Sequence, residues 1–127
     1  MSLRSPLGTV LGTGSAKDGT AHWWAQRVSA VALVPLCLWF LWSLLSLPLR
    51  DRARVGAWLA GPVNALLMIL LVVALAYHAS LGISVVVEDY IPSKASRVFW
   101  LLLLRFLLVL AGGAAMLAVL RVALGRV

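Results

Sequence analysis

The chain has a single cysteine, Cys37, and few charged side chains among its 127 residues. One cysteine excludes an intrachain disulfide framework and a cysteine-based metal cluster. Only 12% of the residues are charged, whereas 63% are hydrophobic and the mean hydropathy is +1.03. That leaves too little polar surface for a water-soluble globule of this length. We therefore expect a membrane protein with one domain.

The basic residues lack any clustering. The formal net charge is +7, yet the lysines and arginines are dispersed around apolar blocks and form neither a run nor a patch interleaved with aromatic residues. This dispersal argues against nucleic acid as a partner. Membrane lipids with anionic headgroups, together with the flanking loops, account for the charges better.

The first 20 residues, MSLRSPLGTVLGTGSAKDGT, contain no apolar block long enough to span a membrane. They also lack the continuous apolar region of a signal peptide. Their richness in glycine, serine and threonine predicts a polar tail over residues 1–20. The membrane domain is then expected over residues 21–127.

Three apolar blocks are long enough to cross a bilayer. They run from about residue 28 to 49, from 62 to 87 and from 98 to 120. Each exceeds the roughly 20 residues, at ~1.5 Å of rise each, that span a hydrocarbon core of about 30 Å. Pro35 is expected to kink the first helix without ending it, and Pro62 suits the first turn of the second. The sequence predicts an all-α membrane protein with three transmembrane helices and its termini on opposite sides.

The charges that flank the three blocks do not determine the orientation of the helices across the membrane. With a cytoplasmic N-terminus, each side of the membrane holds five flanking basic residues, so the positive-inside rule gives a tie. The cytoplasmic set would be Arg4, Lys17, Arg27, Lys94 and Arg97, and the opposite set Arg50, Arg52, Arg54, Arg121 and Arg126.

Tryptophans occur both near the block ends and inside the first block. Those near the ends are expected to anchor the helices at the headgroups. They are Trp23, Trp24, Trp58 and Trp100. Trp39 and Trp42 lie deeper, where bulk that faces lipid or another helix is favoured over contact with a partner or cofactor.

His78 lies deep within the second block. Intramembrane ionisable residues are rare and usually face the interior of a bundle, which favours a functional histidine. Ala74 and Gly82 lie on the same helix face and leave room for a flat macrocycle, and neutral imidazole is a common axial ligand of haem iron. The other reading is an imidazole hydrogen-bonded to a neighbouring helix. Since the chain has no second deep histidine, a bis-histidine haem would take its other ligand from another subunit.

Asp89 and Tyr90 follow His78 by eleven and twelve residues, which places them about 16 to 18 Å further along the helix axis, at the membrane surface. Alone, this segment is also compatible with an ordinary loop, in which the acid caps a helix and the tyrosine belongs to an aromatic belt.

The segment YHASLGISVVVEDY resembles the second helix of the small, D-type membrane-anchor subunits of succinate:quinone oxidoreductase (complex II). That helix carries a histidine, a nearby glycine and an Asp-Tyr pair at this spacing. The stretch GSAKDGTAHWWAQRVSAVALVPL is similar to the N-terminal region of the bacterial members. The resemblance covers most of residues 13–97, while the third helix matches only in character.

This resemblance implies a role for each of these residues. His78 would be an axial ligand of haem b, with the second ligand from a C-type cytochrome b anchor subunit that completes the helical bundle. Tyr90 would donate a hydrogen bond to a quinone carbonyl, and Asp89 would support that site. The complex would also contain an iron–sulfur subunit and a flavoprotein subunit. The N-terminus and the Asp-Tyr segment would face the cytoplasm of a bacterium and the C-terminus the periplasm.

Three further cationic side chains have weaker assignments. Arg27 could contact a haem propionate, and His22 could do so less readily, but Arg27 is equally compatible with a headgroup-binding cation. Arg105 lies about 12 Å into the third helix beyond Arg97 and should face protein, a propionate or water. Lipid exposure there would cost roughly 2.5 to 3.5 kcal/mol.

Two other functions remain open. One is the anchor of a fumarate reductase, since the same assembly can run in either direction. The other is a structural or assembly protein without redox chemistry, in which His78 is merely packed. In each case the isolated chain is not expected to be catalytic. The AGGAA stretch over residues 111–115 indicates a close helix–helix contact.

Overall fold

The computed structural model describes residues 17–125, which form four α-helices. They are α1 (Lys17–Ser46), α2 (Arg52–Ala60), α3 (Pro62–Tyr90) and α4 (Lys94–Ala123). No strand occurs within this described range. Three helices are long and apolar enough to cross a membrane, over Thr20–Ser46, Pro62–Tyr90 and Lys94–Ala123. The predicted all-α membrane fold with three spans is confirmed.

The long helices extend beyond most ends of the apolar blocks that predicted them. α1 begins at Lys17 rather than near residue 28, and α4 begins at Lys94 rather than near residue 98. An apolar block reports the length inside hydrocarbon, whereas a helix continues into the headgroup region where its polar side chains are solvated. Of the polar tail expected over residues 1–20, residues 17–20 belong to α1, and the rest lies outside the described residues.

The prolines of the first two spans lie inside a helix, after its end or in its first turn. α1 continues through Pro35 and ends at Ser46, two residues before Pro48. A residue that precedes proline is pushed out of the helical region, so α1 stops short of the expected residue 49. Pro62 occupies the first turn of α3, where its missing N–H leaves no hydrogen bond unmade.

The short helix α2 was not predicted from the sequence. Its N-cap is Asp51, whose Oδ1 accepts hydrogen bonds from the backbone N–H groups of Ala53 at 3.0 Å and Arg54 at 3.2 Å. Oδ2 of Asp51 also pairs with Nε of Arg54 at 3.3 Å. Such a cap is typically worth about 1 kcal/mol. Only nine residues long, α2 is too short for apolar periodicity to reveal it.

The long helices form an open row with α3 in the middle. α3 packs against α1 and against α4, whereas α1 and α4 do not contact each other in the described part of the chain. α2 touches α3 and α4. Among the residues whose burial the structure describes, only four apolar side chains are buried, which are Leu33, Ala65, Leu71 and Val119. Most of the apolar surface of these helices is therefore left for lipid or other subunits.

Small residues bring α3 and α4 close together, as the AGGAA stretch indicated. A Cβ built on Gly112 would lie 3.9 Å from Cβ of Ala76, an ordinary contact distance. The neighbouring Gly113 has no such neighbour within 4 Å. Gly112 thus faces α3, while Gly113 faces away from that contact.

Arg97 holds the turn between α3 and α4. Its Nε and Nη2 donate hydrogen bonds to the carbonyl oxygen of Ile91 at 3.1 and 2.9 Å. Ile91 is the C-cap of α3, where carbonyl groups lack partners within the helix. A cation at this end also complements the negative end of the helix dipole. One side chain of α4 therefore closes the end of α3.

We expect Arg97→Ala to lower the free energy of unfolding by about 1.5 to 3 kcal/mol, because hydrogen bonds from a charged donor are worth about that much. Equilibrium unfolding of the purified chain in mild detergent with increasing dodecyl sulfate measures the change. Arg121→Ala is the matched control, since Arg121 lies exposed in the last turn of the same helix. Its loss should stay below about 1 kcal/mol. Equal losses in the two variants would contradict the role of Arg97.

Candidate functional site

A polar contact at membrane depth joins α1 to α3 and centres on His78. Nδ1 of His78 lies 2.9 Å from Oγ of Ser29, and Nε2 of His78 lies 3.2 Å from Nε2 of Gln26. Ser29 is buried, and Gln26 and His78 are half-buried. The imidazole thus faces the neighbouring helix of its own chain, as one of the two sequence-based readings expected.

Only one placement of protons satisfies the hydrogen bonds among these three residues. The hydroxyl of Ser29 donates to the backbone carbonyl oxygen of Gln26 at 3.0 Å, so its single proton is used there. Nδ1–H of His78 then donates to Oγ of Ser29, and Nε2 of His78 accepts from the amide of Gln26. All three contacts are satisfied only with the neutral Nδ1–H tautomer.

Gln26 fills part of the space beside the imidazole that the sequence had left for a macrocycle. A Cβ built on Gly82 would lie 3.4 Å from Nε2 of Gln26, so the small residue makes room for this amide. Oε1 of Gln26 is buried and has no hydrogen-bond partner among the described residues. An unsatisfied buried acceptor costs about 1 to 3 kcal/mol. The amide is therefore held at His78 with one of its two polar atoms unpaired.

The contact at Nδ1 is of the kind that orients a metal-binding histidine, whereas Nε2 is occupied by Gln26. Histidines that bind a metal commonly have the other ring nitrogen fixed by a hydrogen bond, and here Ser29 fixes Nδ1. Nε2 then has the lone pair that iron requires. Gln26 would have to move away for that bond to form, and it would leave a position in which its Oε1 is unsatisfied. In the described part of the chain no group of three or more His, Cys, Asp or Glu side chains could hold a bare metal ion.

Asp89 and Tyr90 lie in the last turn of α3, beyond the expected helix end near residue 87. Both are exposed, and Tyr90 is 82% exposed. They are about 16 to 18 Å from His78 along the helix axis, at ~1.5 Å per residue. The imidazole of His78 and the side chains of Asp89 and Tyr90 therefore lie at two separate positions on the same helix.

The acidic residues at this end oppose the helix dipole. Glu88 and Asp89 occupy the last turn of α3, where the dipole is negative and a carboxylate is disfavoured. Neither forms a salt bridge with another described residue. Local stability does not explain two acids at this position, and such departures from local rules tend to occur at functional sites.

His22 and Arg27 lie in the first part of α1, on the side of the bundle where α3 ends. Cζ of Arg27 lies 5.3 Å from the ring centroid of Trp23, a cation–π contact at an exposed site. His22 is half-buried. Within the described residues neither side chain makes a hydrogen bond with His78, Asp89 or Tyr90.

The deeper tryptophans of α1 differ from each other. Trp39 stacks on Trp58 of α2, with centroids 5.6 Å apart and ring planes at 20°. Trp42 is 73% exposed and faces outward. Trp39 therefore packs within the chain, away from His78.

The sequence reading missed Ser29 and Gln26. They are three residues apart near the start of the apolar part of α1, and residues at that spacing share a helix face. Two polar side chains on one face of an apolar helix were the available signal. Their partner could not be identified because pairing between α1 and α3 depends on the register of the two helices.

Comparison with known proteins gives consistent matches. Residues 1–112 match the family described as succinate dehydrogenase/fumarate reductase transmembrane subunit. The chain is 40% identical over 85 residues to the succinate dehydrogenase hydrophobic membrane anchor subunit of Rickettsia bellii, covering 67% of this chain and 68% of that protein. The identity to the protein of the same name from Paracoccus denitrificans is 32% over 98 residues, with coverage of 75% and 76%.

A more distant relative is the succinate dehydrogenase membrane anchor subunit of Reclinomonas americana, which is 28% identical over 92 residues and covered to 77% of its length. No solved structure matches the chain at comparable significance. The family match spans α1, α2, α3 and more than half of α4. The chain therefore belongs to the succinate dehydrogenase/fumarate reductase transmembrane subunit family.

Proposed function

We propose that this chain is the membrane-anchor subunit of a succinate:quinone oxidoreductase, where it provides one axial ligand of haem b and part of the quinone-reduction site. The observation that carries the proposal is the 2.9 Å contact between Oγ of Ser29 and Nδ1 of His78 at membrane depth. Family membership supports the anchor role. Catalysis belongs to the assembled complex and not to the isolated chain.

His78 would bind haem iron through Nε2 in this proposal. Ser29 keeps the proton on Nδ1 and fixes the plane of the ring. When bound, haem b supplies reversible one-electron redox chemistry. Gln26 would have to withdraw from Nε2 of His78 for haem to bind, and it would leave a position in which its Oε1 is buried and unpaired.

A second polypeptide must complete the haem site. The only other histidine of the chain is His22, near the start of α1 and remote from mid-membrane depth. The resemblance to the D-type anchors implies that the second iron ligand would come from a C-type cytochrome b anchor subunit. An iron–sulfur subunit and a flavoprotein subunit supply the electrons from succinate.

Tyr90 interacts with the quinone headgroup. A quinone has an apolar tail and two carbonyl oxygens, so its headgroup suits a site at the boundary of lipid and water. The phenol of Tyr90 is 82% exposed at the end of α3 and is available to donate a hydrogen bond. Such a donor stabilises the negative charge that develops on a carbonyl oxygen during reduction.

Asp89 acts beside Tyr90 in the same site. Reduction of a quinone to a quinol consumes two protons, which come from water at this surface. The carboxylate of Asp89 is exposed and unpaired within the described chain, and it orients Tyr90 or the nearby water. The unfavourable position of this acid at a helix C-terminus supports a functional reason for it.

Arg27 and His22 are proposed to lie near the haem propionates. The forked donors of an arginine suit a carboxylate, and Arg27 directly follows the residue that contacts His78. Its guanidinium rests on Trp23, from which it can turn toward a propionate. His22 lies five residues earlier, about one and a half helix turns nearer the membrane surface, and is the weaker candidate of the two.

We place the chain in a bacterial cytoplasmic membrane with three spans. The N-terminus and the turn between α3 and α4 would face the cytoplasm, and the C-terminus the periplasm. This orientation puts Asp89 and Tyr90 against the iron–sulfur subunit that delivers electrons. Its support is the resemblance to the D-type anchors, since the flanking charges are balanced.

Two alternatives have specific support. The family description includes fumarate reductase, so the complex could reduce fumarate instead. The hydrogen bonds that satisfy His78 within the chain also suit a structural anchor without haem. A reduced-minus-oxidised optical spectrum of the purified complex tests the haem directly. A b-type band supports the redox reading, and its absence supports the structural one.

We expect His78→Ala to remove most of the haem while leaving the three spans inserted. The substitution deletes the only nitrogen in this part of the chain that is placed as a ligand. Pyridine haemochrome analysis of the purified complex measures haem per complex. A value equal to that of the unmodified complex would exclude His78 as a ligand.

Ser29→Ala should weaken haem binding about 10- to 100-fold, the usual effect of removing a hydrogen bond that orients a ligating histidine. Ser29→Thr keeps the hydroxyl and should stay near normal. Ser43→Ala serves as a matched control, since Ser43 is buried in the same helix and donates only to the carbonyl of Trp39. Haem retention during titration with a competing apoprotein gives the affinities. Loss of haem in both alanine variants would indicate a general effect on α1.

Tyr90→Phe should separate quinone chemistry from anchoring. The ring and its position remain, but the hydrogen bond to the quinone is lost, so quinone reduction should fall by up to about 10² to 10³. Succinate oxidation with an artificial acceptor that bypasses the quinone site should remain normal, as should haem content.

Both rates should be measured on the same preparation. Tyr77→Phe is the control, because Tyr77 is also exposed on α3 but lies 13 residues away, about 20 Å along the axis. If quinone reduction by the Tyr90→Phe complex is undiminished, or if both activities fall together, Tyr90 has no specific role at the quinone.

A further inference from the structure

The side-chain amide of Gln26 lies at the ring nitrogen that the proposed haem site requires. Nε2 of Gln26 is 3.2 Å from Nε2 of His78, and in the Nδ1–H tautomer this ring nitrogen has the lone pair. A single lone pair either accepts the N–H of an amide or binds iron. The two uses of Nε2 of His78 therefore exclude each other.

The hydrogen bonds of Ser29 prepare the same nitrogen that Gln26 covers. The hydroxyl of Ser29 donates to the backbone carbonyl oxygen of Gln26 at 3.0 Å, and its oxygen lies 2.9 Å from Nδ1 of His78. This arrangement keeps the proton on Nδ1 and the lone pair on Nε2. The backbone of Gln26 thus helps to set the tautomer that can bind iron, while the side chain of the same residue occupies the ligand nitrogen.

Gly82 makes space for this amide. The residue lies one helix turn beyond His78 on the same face of α3, and a Cβ built on it would lie 3.4 Å from Nε2 of Gln26. A flat macrocycle at His78 would need the same room beside Gly82. The amide therefore competes for the space as well as for the nitrogen.

Only one of the two polar atoms of the Gln26 side chain has a partner. Its Nε2 donates to His78, whereas its Oε1 is buried and has no hydrogen-bond partner among the described residues. An unpaired buried acceptor costs free energy, which opposes the one hydrogen bond that the amide makes. The amide is therefore displaced more readily than one with both polar atoms paired.

The contact also answers a need that the bilayer imposes on a deep imidazole. Hydrocarbon offers no hydrogen-bond partner, so a histidine at this depth must be paired by protein. Ser29 satisfies only Nδ1 of His78, and Gln26 satisfies Nε2. With the amide in place, α1 and α3 pack around a neutral imidazole that needs nothing from another subunit.

We propose that Gln26 is an internal competitor for Nε2 of His78, which pairs the imidazole within the chain and must be displaced before this nitrogen binds iron. The inference rests on the proposed role of His78 as a haem ligand. It adds that the chain lowers its own affinity for haem. The apparent dissociation constant is the intrinsic one divided by the fraction of molecules in which Gln26 has left His78.

Haem affinity of the purified complex tests the competition. Gln26→Ala and Gln26→Leu both remove the amide, and leucine keeps apolar volume on α1. We expect each variant to bind haem about 2- to 10-fold more tightly, the equivalent of one neutral hydrogen bond. Titration with a competing apoprotein gives the dissociation constants. Ser43→Ala should leave haem affinity unchanged, because Ser43 is buried in the same helix but donates to the carbonyl oxygen of Trp39.

The sign of the change separates competition from a general loosening of α1. Ser29 and Gln26 contact the same ring, yet Ser29→Ala should weaken haem binding and Gln26→Ala should strengthen it. A loosened α1 would weaken haem binding in both. Unchanged or weaker haem binding in both Gln26 variants would overturn the competitor role, and weaker binding would make Gln26 a residue that supports the haem.

A second measurement examines the contact without haem. The full chain is purified in mild detergent from haem-deficient cells, and its unfolding equilibrium is measured for Gln26→Ala, His78→Ala and the double variant. We expect the two positions to be coupled by about 2- to 10-fold in the unfolding constant, since the residues share a hydrogen bond. The same cycle with Ser43→Ala in place of Gln26→Ala should show no coupling. Additive effects of Gln26→Ala and His78→Ala would overturn the proposal.

These experiments separate failure of this proposal from failure of the proposed function. If the unmodified complex contains no b-type haem, the proposed function fails and the competitor role fails with it, even where positions 26 and 78 are coupled. If haem is present and is lost in His78→Ala, but the Gln26 variants bind haem like the unmodified complex, only the competitor role is wrong.

Discussion

The absence of water inside a bilayer is the constraint on which this structure depends. Each polar group at depth needs a partner, and the two faces of α3 differ in whether that need is met within the chain. On one side, Ser29 and Gln26 of α1 satisfy the imidazole of His78. On the other, the cation Arg105 of α4 lines a groove between α3 and α4. The central helix therefore has one face closed by its own chain and another that is still open.

The difference between the two faces follows from the open row of helices. In a closed bundle α1 would contact α4 and cover the remaining surface, but no such contact exists in the described part of the chain. The few buried side chains, among them Leu33 and Val119, reflect the same openness. A subunit built in this way is shaped for assembly, since its helices leave wide apolar surfaces for other membrane subunits.

The sequence predicts much of the fold because length and apolarity alone define a membrane span. The three spans, the position of Pro62 in its helix and the role of the small residue at Gly112 followed from composition and spacing. The ends of the helices could not be predicted in this way. α1 begins at Lys17 and α4 at Lys94, in the headgroup region, where the side chains are polar and apolarity gives no signal. The short helix α2 was not predictable either, because it depends on a local N-cap by Asp51. The site was predictable as one deep histidine, but its partners Ser29 and Gln26 required the register between two helices.

Arg97 gives the end of α3 a mechanical property. The residue belongs to α4, yet two of its nitrogens donate hydrogen bonds to the carbonyl oxygen of Ile91, next to Tyr90. Arg97 and Arg105 lie eight residues apart in α4. The distance between them is therefore fixed, because a helix is stiff over that length. The backbone at the end of α3 is therefore tied to α4 by side-chain hydrogen bonds as well as by the short turn, so two helices fix the position from which Tyr90 projects.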